Sequence, residues 1–346
     1  MMTYALMACL LAGLASICLI GMRHAPAKRE FMSLADCNYL RGLWSIIVVL
    51  VHVPVVFQNP VQDMMGSFAY IGVTFFFMTS AFGLKYSMAH KQGYLDRFWM
   101  KRLPSIIVPA FIAHALSGAT KVMQGQDVGF FSFVGLGRWV QVLLLYYVIF
   151  WFIHRVSARW IASEGRRDFF LCLCIVVISL MDRLSGFNRL WAVESLGFVY
   201  GIVVANRQEM IANWLDKKWK RKSIVLATAS MGLGLAYLKY KPVAFWGDYL
   251  LKIGLGVALL ALMFALIGKA RVGNAISRFL GNISYEIYLL HGAAFGVLVC
   301  CRPDLDMNSG LFIWLALCLT VLGSALVNVA SRYLIRCWKT KLGLSQ

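Results

Sequence analysis

The 346-residue chain carries little charge, and very little of it is negative. Asp and Glu number 15 against 34 Lys and Arg, and charged residues make up 14% of the whole. A water-soluble domain of this length could not cover its surface with so few charges. Proline is scarce as well, at 7 residues, and no Pro/Ser-rich linker or repeat period divides the chain. The nine cysteines show no metal spacing: Cys172/Cys174 and Cys300/Cys301 sit too close for a C-x-x-C pair. Most cysteines lie in apolar runs, where unpaired thiols are the default. Also missing are a serine-hydrolase elbow, an H-E-x-x-H, a phosphate-cradling glycine loop and a dinucleotide fingerprint. No metal site and no nucleotide-binding domain are expected.

What is present is hydrophobic sequence, 60% of the residues. Apolar runs near 2–22, 40–57, 66–84, 104–120, 138–154, 168–181, 190–206, 223–238, 249–268, 283–301 and 310–332 predict an all-α, polytopic transmembrane bundle of about 11 spans. The basic residues alternate between its sides. One set of loops carries Arg23, Lys28 and Arg29, then Lys85 to Arg102, Arg155 to Arg167, Arg207 to Lys222, Lys269 to Arg278, and the C-terminal Arg336, Lys339 and Lys341. The opposite loops hold only Lys121 and Arg138, Arg183 and Arg189, Lys239 and Lys241, and Arg302. The positive-inside rule then places the N-terminus outside and the C-terminus in the cytoplasm. The net charge of +19 reads as this topogenic bias, with some attraction to anionic lipid, and no nucleic-acid partner is expected. Residues 1–22 lack a basic n-region, so they read as a retained first helix instead of a signal peptide.

Within this frame the segment 40–57 stands out. Arg41 and His52 are separated by ten residues, none ionisable. Eleven helical steps return to within about 20° of the starting direction, so both lie on one face, roughly 16 Å apart along the axis. Each residue also has a packing explanation. Arg41 could be a cytoplasmic-end anchor that snorkels to the interface, and His52 a satisfied histidine just before Pro54. Ser45 and Val48 fill their shared stripe and are small enough to leave room for a narrow ligand. In a second stripe, Ser284, Tyr288 and His291 follow at i, i+4 and i+7, with Glu286 pointing away. Polar residues at that depth either bond helices together or mark function. Lys101 and Arg102 precede Pro104 at the cytoplasmic start of a helix and could meet an anionic ligand. Glu194 could pair with Arg189, and Asp248 with Lys252 at i,i+4.

Six segments in order resemble the acyltransferase-3 family of integral membrane acyltransferases. They are Tyr39-Leu40-Arg41-Gly42-Leu43 through Val51-His52, Gly72-Val73…Phe75-Phe76…Ser80, Lys101-Arg102-Leu103-Pro104 through Pro109, Trp139 to Tyr147, Trp191…Phe198…Gly201, and Leu280 to His291. Ala81 stands where the family has glycine, and Arg97 with Lys101 and Arg102 replaces the longer arginine cluster of some branches. The likeness spans about 34–336. It implies an accessory N-terminal helix and basic loop at 1–33 and an acyltransferase domain at 34–346. It also implies transfer of an acyl group, usually acetyl, from cytoplasmic acyl-CoA to a hydroxyl of a carbohydrate or related cell-envelope acceptor. The expected setting is the bacterial cytoplasmic (inner) membrane. His52 is the implied catalytic residue, and Arg41, Arg97, Lys101 and Arg102 are the candidates for the donor. Ser80, Trp139, Glu194, Ser284, Tyr288 and His291 complete the candidate site. The rival reading is a transporter or flippase of a lipid-linked or small polar molecule, with the same polar residues lining a pathway.

Overall fold

The computed structural model describes residues 2–24, 31–186, 191–301 and 308–341, so Lys28, Arg29, Arg189 and Arg302 lie outside the described residues. The chain is helical almost throughout: α1 (Met2–Leu19), α2 (Leu34–Val51), α3 (Pro60–Gly66), α4 (Ala69–His90), α5 (Phe98–Met123), α6 (Arg138–Trp151), α7 (Glu164–Ser185), α8 (Leu196–Asn206), α9 (Gln208–Asp216), α10 (Trp219–Tyr240), α11 (Lys252–Ile267), α12 (Ala275–Asn282), α13 (Ser284–Cys301) and α14 (Ser309–Lys341). A two-residue antiparallel pair, Arg23–His24 with Ala270–Arg271, joins the ends of two inter-helix segments.

Every expected apolar run is found in a helix, but not every run makes a full-length span. Among the described residues nine helical stretches are long and apolar enough to cross a membrane. The runs at 168–181 and 190–206 fall short for different reasons. α7 carries Glu164, Arg166, Arg167, Asp168, Asp182 and Arg183 near its ends, and α8 begins only at Leu196 after a series of turns. Helix ends also move. α2 starts six residues before the expected Leu40, so Arg41 sits about two turns inside it. α5 starts at Phe98, which puts Pro104 and Pro109 in its interior and not in its first turn.

α4 lies at the centre, and its Ala69–Met78 segment is buried on every side, with Thr74 satisfied by the Tyr70 carbonyl at 2.9 Å. α8 packs against it through Gly197 and Gly201, one turn apart. A Cβ on Gly201 would sit 2.7 Å from the Ala81 Cβ and 2.9 Å from the Phe82 nitrogen, and one on Gly197 would press on the Thr74 carbonyl. Such close backbone approach is how helices associate without a hydrophobic driving force between them. On the opposite side Gly72 meets α2, where a Cβ would lie 3.0 Å from Trp44 Cβ and 3.2 Å from Val48 Cγ2. Ser45 and Val48 are fully buried there, and the Ser45 hydroxyl donates to the Gly42 carbonyl at 2.8 Å. The groove expected along that stripe is therefore filled by α4.

At the end of the bundle where Lys85 lies, an ion cluster around the buried Lys85 and Asp168 ties α4, α7, α8 and the turn that follows α6 together. Lys85 Nζ reaches Asp168 at 2.7 Å and Glu164 at 2.5 Å, Asn206 Nδ2 donates to Asp168 at 2.8 Å, and His154 lies 3.3 Å from it. A π-turn over Phe152–Val156 brings His154 inward. Breaking one partner of a buried pair leaves an uncompensated charge. Lys85→Met is thus expected to destabilise the protein by about 3 kcal/mol, read as thermal unfolding in detergent. A midpoint within about 2 °C of wild type contradicts this account of the cluster.

Candidate active site

The chain turns sharply at His52 because Pro54 removes a backbone donor and disfavours a helical Val53. His52 becomes the C-cap of α2, its N–H bonded to the Val49 carbonyl at 3.1 Å. The turn is pinned from above by α3. Asn59 and Gln62 form a capping box, Gln62 Nε2 donates to the Leu50 carbonyl, and Phe57 stacks on Phe312 at 3.9 Å. The imidazole is thereby held in one orientation. Its Nδ1 lies 2.9 Å from the Val48 carbonyl. A carbonyl only accepts, so Nδ1 carries the proton and Nε2 presents a lone pair. The residue as a whole is exposed.

α13 supplies the second half. His291 packs against His52 with ring centroids 4.5 Å apart, and its own Nδ1 is buried without a hydrogen-bond partner. Tyr288 meets His291 edge-on at 5.9 Å and Trp139 of α6 at 4.7 Å. Trp139 Nε1 is likewise buried and unpartnered. His52, His291, Tyr288 and Trp139 thus form one continuous aromatic row. Arg41 lies deeper along α2, its guanidinium 5.8 Å from the Phe76 ring and its Nε buried with no acceptor.

The other sequence candidates fall elsewhere. Ser284 is buried and donates to the Gly281 carbonyl at 2.8 Å, a helix-start role away from the imidazoles. Glu286 does point away, accepting from Asn328 on α14 at 2.8 Å. Ser80 is half-buried on α4. Arg97 and Lys101 are exposed. Arg102 is held back, donating to the Tyr94 hydroxyl at 2.8 Å. Burial pushes that phenol above its ordinary value, although the adjacent guanidinium pulls it down.

Two pairings differ from expectation. Lys252 does not pair with Asp248; it turns to Glu194 at 3.3 Å and lies 4.8 Å from the Tyr70 ring. Asp248 binds Arg183 at 2.8 Å instead, because a π-turn over Trp246–Leu251 breaks the i,i+4 register. With Arg189 outside the described residues, Lys252 is the partner Glu194 shows. Glu194 Oε2 remains buried and unmet. Lys252, expected from spacing to be a structural partner of Asp248, thus joins Glu194 instead. A lysine at the start of the apolar run 249–268 is itself the signal that an acid on another helix faces it.

No curated protein and no solved structure matches the chain. The family model described as an acyltransferase domain, Acyl_transf_3, matches residues 34–329. That stretch contains the imidazole pair, Arg41 and the aromatic row. The chain therefore belongs to the acyltransferase-3 family and is a membrane acyltransferase.

Proposed function

We propose that this protein moves an acetyl group from cytoplasmic acyl-CoA to a hydroxyl of a carbohydrate or other cell-envelope acceptor. The setting is the bacterial cytoplasmic membrane, with the N-terminus outside and the C-terminus in the cytoplasm. The observation that carries the reading is the oriented His52, with Nδ1 committed to Val48 and Nε2 free. In the proposed step Nε2 takes the proton of the acceptor hydroxyl as its oxygen attacks the thioester carbonyl. The tetrahedral adduct collapses, the C–S bond breaks, and the CoA thiolate leaves. His52 then returns the proton to that thiolate. His291 supports the ring of His52, and the Tyr288 and Trp139 rings wall the site.

The donor's anionic end is met on the side where Lys101, Arg97, Arg102 and Arg41 lie; with the Ser45–Val48 stripe filled by α4, its acyl arm passes beside that stripe to reach His52, about 16 Å from Arg41. A charge-assisted hydrogen bond from Arg41 contributes about 1.5–3 kcal/mol. Arg41→Ala is therefore expected to lower kcat/KM for acyl-CoA roughly 10- to 100-fold while KM for the acceptor stays put. An increase confined to the acceptor's KM would sink the donor role. The acceptor class is tested in cells: removing the protein should abolish an ester-linked acetyl group from envelope glycan. Unchanged glycan, lipid and peptidoglycan masses would contradict that class.

A further inference from the structure

A second site lies away from the imidazoles, where α9 meets α10. Five cations fall within six residues, Lys217, Lys218, Lys220, Arg221 and Lys222. The short α9 is amphipathic: Leu215 is buried while Met210 and Trp214 stay exposed. Lys218 adopts the left-handed conformation, with φ of 57°, which turns the chain tightly from α9 into α10. The turn closes a cavity of 260 Å³ lined by Trp214, Lys218, Arg221, Lys222, Val225 and Leu226.

The lining is chemically two-sided. Lys218, Arg221 and Lys222 line it with long side chains that end in cationic donors. Trp214, Val225 and Leu226 supply an apolar wall that continues along α10. Lys222 is already oriented, with Nζ 4.2 Å from the Trp214 ring and bonded to the Trp214 carbonyl. No acidic side chain lines the cavity, and the nearby Asp216 is taken up by Lys269. A cationic rim next to an apolar wall fits neither a free anion nor a neutral lipid. It fits a molecule with a phosphate at one end and an acyl chain at the other.

We propose that this cleft is a binding site for an anionic phospholipid, its headgroup phosphate held by Lys218 and Arg221 with Lys222 and Trp214 beneath, and its first acyl carbons against Val225 and Leu226. The site stands independently of the acyl-transfer reading. A lipid held there would clamp the α9–α10 turn at the membrane surface.

The test uses the full-length purified protein and native mass spectrometry with phosphatidylglycerol, and with phosphatidylcholine for comparison. Wild type should retain phosphatidylglycerol selectively. Lys218→Gln/Arg221→Gln should weaken its retention about tenfold or more, since both cations that hold the phosphate are removed. The charge-matched Lys217→Gln/Lys220→Gln protein, altered outside the lining, should retain it like wild type. Equal loss in both variants would mean diffuse surface attraction and overturn the site. Excess inorganic phosphate should leave lipid retention nearly unchanged; full displacement by phosphate would show an anion site with no lipid specificity. Phosphatidylglycerol with brominated chains should quench wild-type tryptophan fluorescence more than it quenches Trp214→Phe, and equal quenching would place the lipid elsewhere.

Discussion

Replacing His52 with alanine is expected to lower kcat for acyl transfer by about 10²- to 10⁴-fold, the usual contribution of a positioned general base. Stability should move little, by about 1 kcal/mol, because the exposed ring makes one local bond to Val48. That separation makes the variant informative: loss of turnover in a well-folded protein isolates chemistry from packing. His291→Ala should cost less in kcat, since in the proposed step His291 acts by packing against the ring of His52. If His291→Ala were the more damaging of the two, the roles would be reversed. Direct transfer also predicts no covalent adduct when wild type meets acyl-CoA without acceptor. An acyl group trapped on His52 would mean a two-step route through an acyl-imidazole. Undiminished transfer by folded His52→Ala would end the assignment altogether.

The second large effect is expected at the α4–α8 contact. Gly197→Ala/Gly201→Ala should abolish the folded, monodisperse protein, with a destabilisation above about 3 kcal/mol. The new methyl groups would meet backbone atoms of Thr74, Met78 and Phe82, which no rotamer change can move aside. Separating α4 from α8 would also shift Phe76, against which Arg41 rests. Gly232→Ala provides the control: on α10, a Cβ there meets nothing within 4 Å. It should be neutral or stabilising by up to about 1 kcal/mol, because alanine restricts the unfolded chain. Size-exclusion profiles and thermal unfolding in detergent read both results. A double variant that elutes and melts like wild type would show that the two helices pack with more slack than these distances allow.

Much of the bundle is legible in the sequence because the apolar runs are long and the charges sit between them. Helix ends are less legible. The polar start of α2, Ala35-Asp36-Cys37-Asn38, carries no hydropathy signal, yet it forms about one helical turn behind the Ser33 cap. Arg41 and His52 were readable as one face from spacing alone, since eleven residues is close to three whole turns. The contact between His52 and His291 was not readable, because it depends on how α2 and α13 pack. Lys252 misled for the opposite reason. The i,i+4 rule assumes an unbroken α-helix, and the π-turn at Trp246–Leu251 removes that condition. The room imagined beside Ser45 and Val48 vanished because Gly72 lets α4 approach α2 closely. For the imidazole contact and the filled stripe the local periodicity holds and the tertiary partner decides the outcome; at Lys252 the local helix geometry itself departs from α.

The central claim is that the oriented His52 performs acyl transfer on a hydroxyl. Its most direct test is purified wild-type protein with acetyl-CoA labelled in the acetyl group and an envelope-glycan acceptor. Label should pass to the acceptor in an ester linkage, with one free CoA thiol released per transfer, and His52→Ala should abolish both. Label that stays on CoA while the intact acceptor crosses a vesicle membrane would contradict it and make the protein a transporter.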